Sequence, residues 1–216
     1  MGPSAGSGKY GRRHARSCDC WEKSLIALAK GLHLEVEHKF IVDEQFDRTA
    51  FFSRIETLGP LKYVHTQVDE TYFLTESTPE LIYRHRYDEA HQDLTYKTFR
   101  QGDIEIRKEV RLALDSHSGN QQAQVEAFLA PLRIRWQSEL KKTLWVYDFA
   151  DCEIVYYIAS TVDRTVICVE FEALQSTSTD EAVATLRSYE ERLGFADKIR
   201  SRRSLFELLF GDKIDK

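Results

Sequence analysis

The sequence predicts an α+β fold in which an antiparallel sheet or barrel is flanked by helices. Three observations predict it. Beyond Cys20 polar and apolar residues alternate with period two in many short segments, the mark of strands with two chemically different faces. Short turns such as Gln101-Gly102-Asp103 join neighbouring segments, as antiparallel pairs require. No strand–helix–strand alternation runs through the chain, which argues against a doubly wound parallel sheet.

The elements follow in order. Residues 1–18, MGPSAGSGKYGRRHARSC, carry Lys9, Arg12, Arg13 and Arg16 without one acid and read as a flexible basic tail. Residues 19–216 form the folded domain, opening on a short helix over 21–30 that stops at Gly31. Strands are expected near 33–42, 63–73, 81–88, 93–100, 103–114, 133–137, 141–149, 152–160 and 164–174. Helices are expected near 47–58, 120–129, 179–193 and 196–210, with Ser178 and Glu181 as a capping box for the third. The tail also holds Gly2–Lys9, which imitates a phosphate-binding loop. That loop needs Ser or Thr after its Lys and must leave a strand and open a helix. Here Tyr10 follows Lys9, and no strand can precede Gly2.

Composition narrows the function. The 216 residues include 12 Phe, 10 Tyr and 3 Trp, enough to build a core, so disorder throughout is excluded. No apolar run reaches the roughly 20 residues of a membrane span, and no membrane partner is expected. Net charge is -5, from 30 Lys and Arg against 35 Asp and Glu, so no global basic field attracts nucleic acid. Cys18, Cys20, Cys152 and Cys168 form neither a CxxC pair nor a disulfide framework, which fits reduced thiols and a cytoplasmic location. The histidines lack HxxxH spacing and no GxSxG elbow exists, so zinc hydrolysis and serine esterase chemistry find no support.

Sorting the strands by parity gives more. Glu35, Glu37 and Lys39 share one strand face, as do Arg84 and Arg86, Lys97 with Thr95, Glu105, Arg107, Glu109 and Arg111, and Glu170 with Glu172. His38 and His85 fall on the opposite faces and are expected beneath helices. One charged face is ordinarily a solvated one. Several of mixed sign mean something else if the sheet closes with its helices outside: a wet, ligand-binding interior, since unpaired charge is too costly to bury dry. Lys and Arg there suit a polyanion such as phosphate, and carboxylates suit hard divalent cations. Residues i and i+2 lie about 6.5–7 Å apart along a strand, so Glu35 and Glu37 need carboxylates from a neighbour, Glu170 and Glu172, to complete a metal shell.

These residues resemble the CYTH domain family, the triphosphate tunnel metalloenzymes. Glu35-Val36-Glu37-His38-Lys39 is similar to its ExExK signature. Asp69-Glu70-Thr71-Tyr72-Phe73 resembles its acidic second strand, and Arg84-His85-Arg86 its RxR. Lys97, Arg107-Lys108-Glu109, Lys141-Lys142 and Glu170-Phe171-Glu172 follow in the family's order, so the resemblance spans residues 33–210. It departs from the family at Ala159–Thr165, where Ser160 stands near an expected Asp and Asp163 substitutes only with a shifted register, and at Arg202 and Arg203 in place of Lys.

The resemblance implies an eight-stranded antiparallel β-barrel, a triphosphate tunnel, in a monomer or homodimer. It implies Mg²⁺ or Mn²⁺ on Glu35, Glu37, Glu109, Glu170 and Glu172. Lys39, Arg84, Arg86, Lys97, Arg107, Lys141 or Lys142, and Arg203 would bind substrate, with Glu35, Glu37 and Lys39 catalytic. The implied activity is hydrolysis of tripolyphosphate or an organic or nucleoside triphosphate. The alternatives are a class IV-type adenylate cyclase and a non-catalytic polyphosphate- or nucleotide-binding module. Nothing in the sequence identifies a purine pocket.

Overall fold

The computed structural model describes residues 33–99 and 105–214; the helix expected over 21–30 and the basic tail lie outside them. Eight strands form one antiparallel sheet: β1 (His33–Val42), β2 (Lys62–Thr75), β3 (Leu81–Tyr87), β4 (Gln92–Thr98), β5 (Glu105–Leu114), β6 (Ile134–Asp148), β7 (Cys152–Ser160) and β8 (Thr165–Ala173). It closes into a barrel in the order β1-β5-β4-β3-β2-β6-β7-β8. Four α-helices accompany it among the described residues: α1 (Arg48–Thr57), α2 (Gln122–Leu129), α3 (Thr179–Leu193) and α4 (Leu205–Ile214).

Two expected elements differ. The segments 133–137 and 141–149 are one strand, β6, which pairs with β2 from Asp148↔Lys62 to Ile134↔Thr75 with a single irregularity at Leu74/Thr75. The polar Gln137-Ser138-Glu139 between the two segments looks like a turn, but in a ladder this long it simply alternates exposed and half-buried. The helix expected over 196–210 begins only at Leu205. Gly194, left-handed at φ 79°, ends α3, and Ser204 and Glu207 then cap a new helix reciprocally. The Ser204 hydroxyl accepts from Glu207 N at 3.1 Å, and the Glu207 carboxylate accepts from Ser204 N at 2.7 Å. The box expected for α3 is present in part: Ser178 accepts from Glu181 N at 3.2 Å, while Glu181 reaches back to Thr177.

Strand alternation divides the packing into two kinds. On the outer face, Val36, Phe40, Tyr147, Ile154, Tyr156, Val169 and Phe171 pack against α1, α3 and Phe195. Phe73, Tyr83 and Leu94 pack against Val125 and Leu129 of α2. His38 and His85 lie on this face, as their parity predicts. His38 bonds Glu190 of α3 at 2.5 Å, and His85 bonds Gln122 of α2 at 2.7 Å and Gln92 at 2.9 Å.

The opposite strand face lines the interior of the barrel, and α4 packs there. Its Leu205, Phe206, Leu208, Leu209 and Phe210 meet Tyr72, Leu74, Ile82, Leu140, Leu144, Tyr157, Ala159 and Cys168. The lining residues come from the last part of β2 and β7, the first part of β3 and β8 and the middle of β6. Antiparallel order brings those parts to one rim, so α4 closes that end of the barrel. Arg164, in the β7–β8 turn, fastens it by donating to the Leu208 carbonyl at 2.5 Å and to Asp212 at 2.6 Å.

Candidate active site

Above this apolar floor the interior is charged. The β1–β8 register sets Lys39 opposite Glu170 and Glu37 opposite Glu172, bringing together acids more than 130 positions apart in the chain. β7 continues the row, with Glu153 opposite Glu172 on one side and Asp148 of β6 on the other. On the far side Glu70 is opposite Arg86, Tyr72 opposite Arg84, and Lys97 opposite Glu109. The side chains of Glu35, Glu37, Lys39, Glu70, Arg84, Asp93, Glu109 and Lys142 are all buried, as charged groups are only when paired or ligated.

The lumen is polarised across its width. Around β1, β5 and β8 carboxylates dominate and hold the lysines. Lys97 Nζ lies 2.9 Å from both oxygens of Glu35 and 2.6 Å from Glu109, which also accepts from Arg111 at 2.9 Å. Lys39 Nζ lies 2.8 Å from Glu37 and 3.1 Å from Glu170, and the Tyr157 hydroxyl donates to Glu170 at 2.6 Å. Burial pushes the Glu35 carboxyl up to about 7; Lys97 pulls it down, while Glu109, Glu37 and Glu172 push it further up. Burial likewise raises Glu153 to about 8, reinforced by Glu172 and Asp148. Glu109 is the reverse: against its burial, Lys97 and Arg111 hold it well below the usual carboxylate range.

Around β2, β3 and β6 cations dominate. Arg84, Arg86 and Lys142 all act on one acid, Glu70, and outweigh its burial to lower its pKa. Lys142 Nζ stands 3.9 Å over the Tyr157 ring, a cation–π contact, and burial lowers its pKa against the pull of Glu70 and Glu170. Arg84 Nε is buried without a hydrogen-bond partner, and its Nη atoms reach Glu70 and Asp93 only at 3.9 Å and Thr95 at 3.5 Å. A buried guanidinium donor with nothing to accept from it is costly, and an anion relieves that cost.

Of the residues singled out from sequence, Glu35, Glu37, Lys39, Arg84, Arg86, Lys97, Glu109, Lys142, Glu170 and Glu172 share the interior face. Lys141 does not: alternation turns it outward to an exposed position, and only Lys142 of the pair is buried inside. Arg203 is also elsewhere, exposed and bonded to the Glu207 carbonyl along α4. Arg107 lies on β5, and its side chain is outside the described residues. Asp163 is exposed in the β7–β8 turn, and Ser160 pairs with Thr165 there without a register shift, so neither replaces a lumen acid.

Sequence reasoning assigned no role to Glu70, Asp93, Arg111, Glu153 or Tyr157. For Glu70 a signal was present: it shares strand parity with Val68, Tyr72 and Leu74, and a carboxylate in an apolar series marks a buried, partnered charge.

No family model and no curated protein sequence matches the chain. Solved structures do. A conserved hypothetical protein from Pyrococcus furiosus superposes with a TM-score of 0.63 at 23% identity, over 81% of this chain and 99% of that one. A Hippeastrum protein named for adenylyl cyclase, in which a triphosphatase activity dominates, gives 0.57 at 14% identity over 84% and 96%. The chain shares the fold of these proteins, a closed eight-stranded antiparallel barrel. The RNA triphosphatase domain of a mimivirus mRNA capping enzyme shares it at a TM-score of 0.51 and 9% identity, over 82% and 98%. At such identities the likeness extends to the fold and leaves the chemistry to the lumen's own residues.

Proposed function

We propose that the protein is a metal-dependent triphosphatase that hydrolyses tripolyphosphate or an organic or nucleoside triphosphate inside its barrel. The observation that carries this reading is the polarised lumen: cations with an unsatisfied Arg84 donor face a bank of carboxylates. Arg84, Arg86 and Lys142 grip phosphate oxygens, and Lys39 and Lys97 join them once a polyanion draws them from their glutamates. Arg111, on the same face, is a further candidate.

The donor set suits a hard divalent ion, Mg²⁺ or Mn²⁺, because Glu35 is crowded by Glu37, Glu109 and Glu172 and mutual repulsion favours a shared cation. Among the described residues no three acids already converge as a metal site, since Lys39 and Lys97 hold them. Glu35, Glu37, Glu109 and Glu172 would hold the ion. Glu170 is the weaker candidate, being engaged by Lys39 and Tyr157. When bound, the ion supplies charge that polarises a phosphoryl oxygen and acidifies water. The chain's cations stabilise charge on the leaving phosphate, the main task in phosphoryl transfer.

The test is product analysis with tripolyphosphate, ATP and thiamine triphosphate, each with Mg²⁺ or Mn²⁺. Orthophosphate is expected. Cyclic nucleotide with pyrophosphate replaces the hydrolase with a cyclase, and binding without any product replaces it with a sensor.

A further inference from the structure

Resting on that reading, we propose that Glu70 is a positioning residue: a permanent counter-ion that aims Arg84 and Arg86 at the substrate phosphates. Glu35, Glu37, Glu109 and Glu170 each pair with a lysine, whose flexible stem lets it leave. Glu70 is held differently. Its side chain is fully buried, and Arg86 approaches one oxygen through Nε at 2.7 Å and Nη2 at 2.6 Å. The Tyr72 hydroxyl donates to the other oxygen at 3.0 Å, and Arg84 Nη1 stands 3.9 Å away. With both oxygens engaged, Glu70 is poorly placed to enter a metal shell. It lies on β2 between the two strands that bear the phosphate-facing cations, opposite Arg86 on β3 and Leu140 on β6.

The geometry fixes the arginines but does not satisfy them. Arg86 is clamped at Nε and one Nη, which leaves its other terminal nitrogen available. Arg84 is drawn toward Glu70 and Asp93 only at long range, and its Nε stays without a partner. Bare electrostatics and positioning therefore predict opposite outcomes when the Glu70 charge is removed. If Glu70 merely offsets positive charge, its neutralisation strengthens the field on phosphate and tightens binding. If it positions, the arginines lose their orientation and binding weakens. Lys142 adds a second readout. Glu70 and Glu170 favour its charged form, whereas burial, Arg86 and Arg84 oppose it, and Tyr157 contributes its ring face. Without Glu70 the ammonium sheds its proton at lower pH.

The experiment is calorimetric titration of tripolyphosphate with Mg²⁺ into the full chain across pH, for the wild type and Glu70→Gln, Glu70→Asp and Tyr72→Phe. Glu70→Gln is expected to weaken binding about tenfold or more, the scale of a lost charge-assisted pair. It should also move the alkaline fall-off of binding to lower pH. Glu70→Asp restores the fall-off and recovers part of the affinity. Tyr72→Phe, which keeps every charge, weakens binding about threefold and serves alone if Glu70→Gln does not fold. Equal or tighter binding by Glu70→Gln with an unmoved alkaline limb overturns the inference while leaving the triphosphatase reading intact. Failure of the wild type to bind tripolyphosphate removes the reading and the inference together.

Discussion

The Lys97 ammonium lies 2.9 Å from both carboxylate oxygens of Glu35, and so occupies the ground between the acids of β1 and β5. A lumen that neutralises itself in this way has a thermodynamic consequence. A polyanion that draws Lys97 away exposes carboxylates to a divalent ion, and an ion among the carboxylates releases Lys97 for phosphate. The two ligands should bind with positive coupling.

Saturating Mg²⁺ is accordingly expected to tighten tripolyphosphate binding roughly tenfold, and tripolyphosphate to tighten Mg²⁺ by the same factor. Lys97→Met should raise the affinity for the ion alone while lowering that for tripolyphosphate. Paired titrations check both directions, and independent binding would remove the exchange.

The pH dependence of stability follows from the raised carboxyls. Glu35 and Glu153 titrate near 7 and 8 in the fold against 4.5 for the ordinary group, so between these values the native state holds more protons than the unfolded one. Stability of the ligand-free protein therefore falls as pH rises from about 5 to 8. Glu70 and Glu109, whose pKa values are lowered, act the other way: their contribution is present above about 4.5 and is lost as pH falls further. Melting curves should peak near pH 5, and Glu153→Gln should flatten the fall at neutral pH.

Lys141 and Lys142 are neighbours on opposite faces of β6, one exposed and one buried in the lumen. Lys142→Met should weaken tripolyphosphate binding about tenfold, as for a lost charged contact. Lys141→Met should leave it within about twofold. Equal effects would contradict the assigned faces.

Glu190 joins His38 of β1 to Arg200 beyond α3 through contacts of 2.5 Å on each side. Burial opposes its charge, yet the His38 and Arg200 hydrogen bonds prevail and lower its pKa. Glu190→Ala strands His38 in the core and should cost about 2–3 kcal/mol in urea unfolding.

The parts legible in the sequence were those governed by local rules. Period-two alternation placed the strands, and parity placed His38 and His85 outside and Glu35, Glu37 and Lys39 inside, because backbone geometry alone fixes which way successive side chains turn. Roles that depend on partners were not legible. Nothing local in the sequence shows that Tyr157 and Lys39 engage Glu170 from other strands. Lys141 and Lys142 were ambiguous until the β6 register chose between them. The late start of α4 depends on the Ser204–Glu207 cap, a short-range signal masked by the apolar run that follows.

The seating of α4 in one end of the barrel also governs traffic. Arg164 ties the helix down, and fifteen buried side chains, five of them from α4, fill that end. If the protein cleaves a triphosphate as proposed, this filled end offers its products no exit, and the fragment nearer the α4 floor would depart after the other.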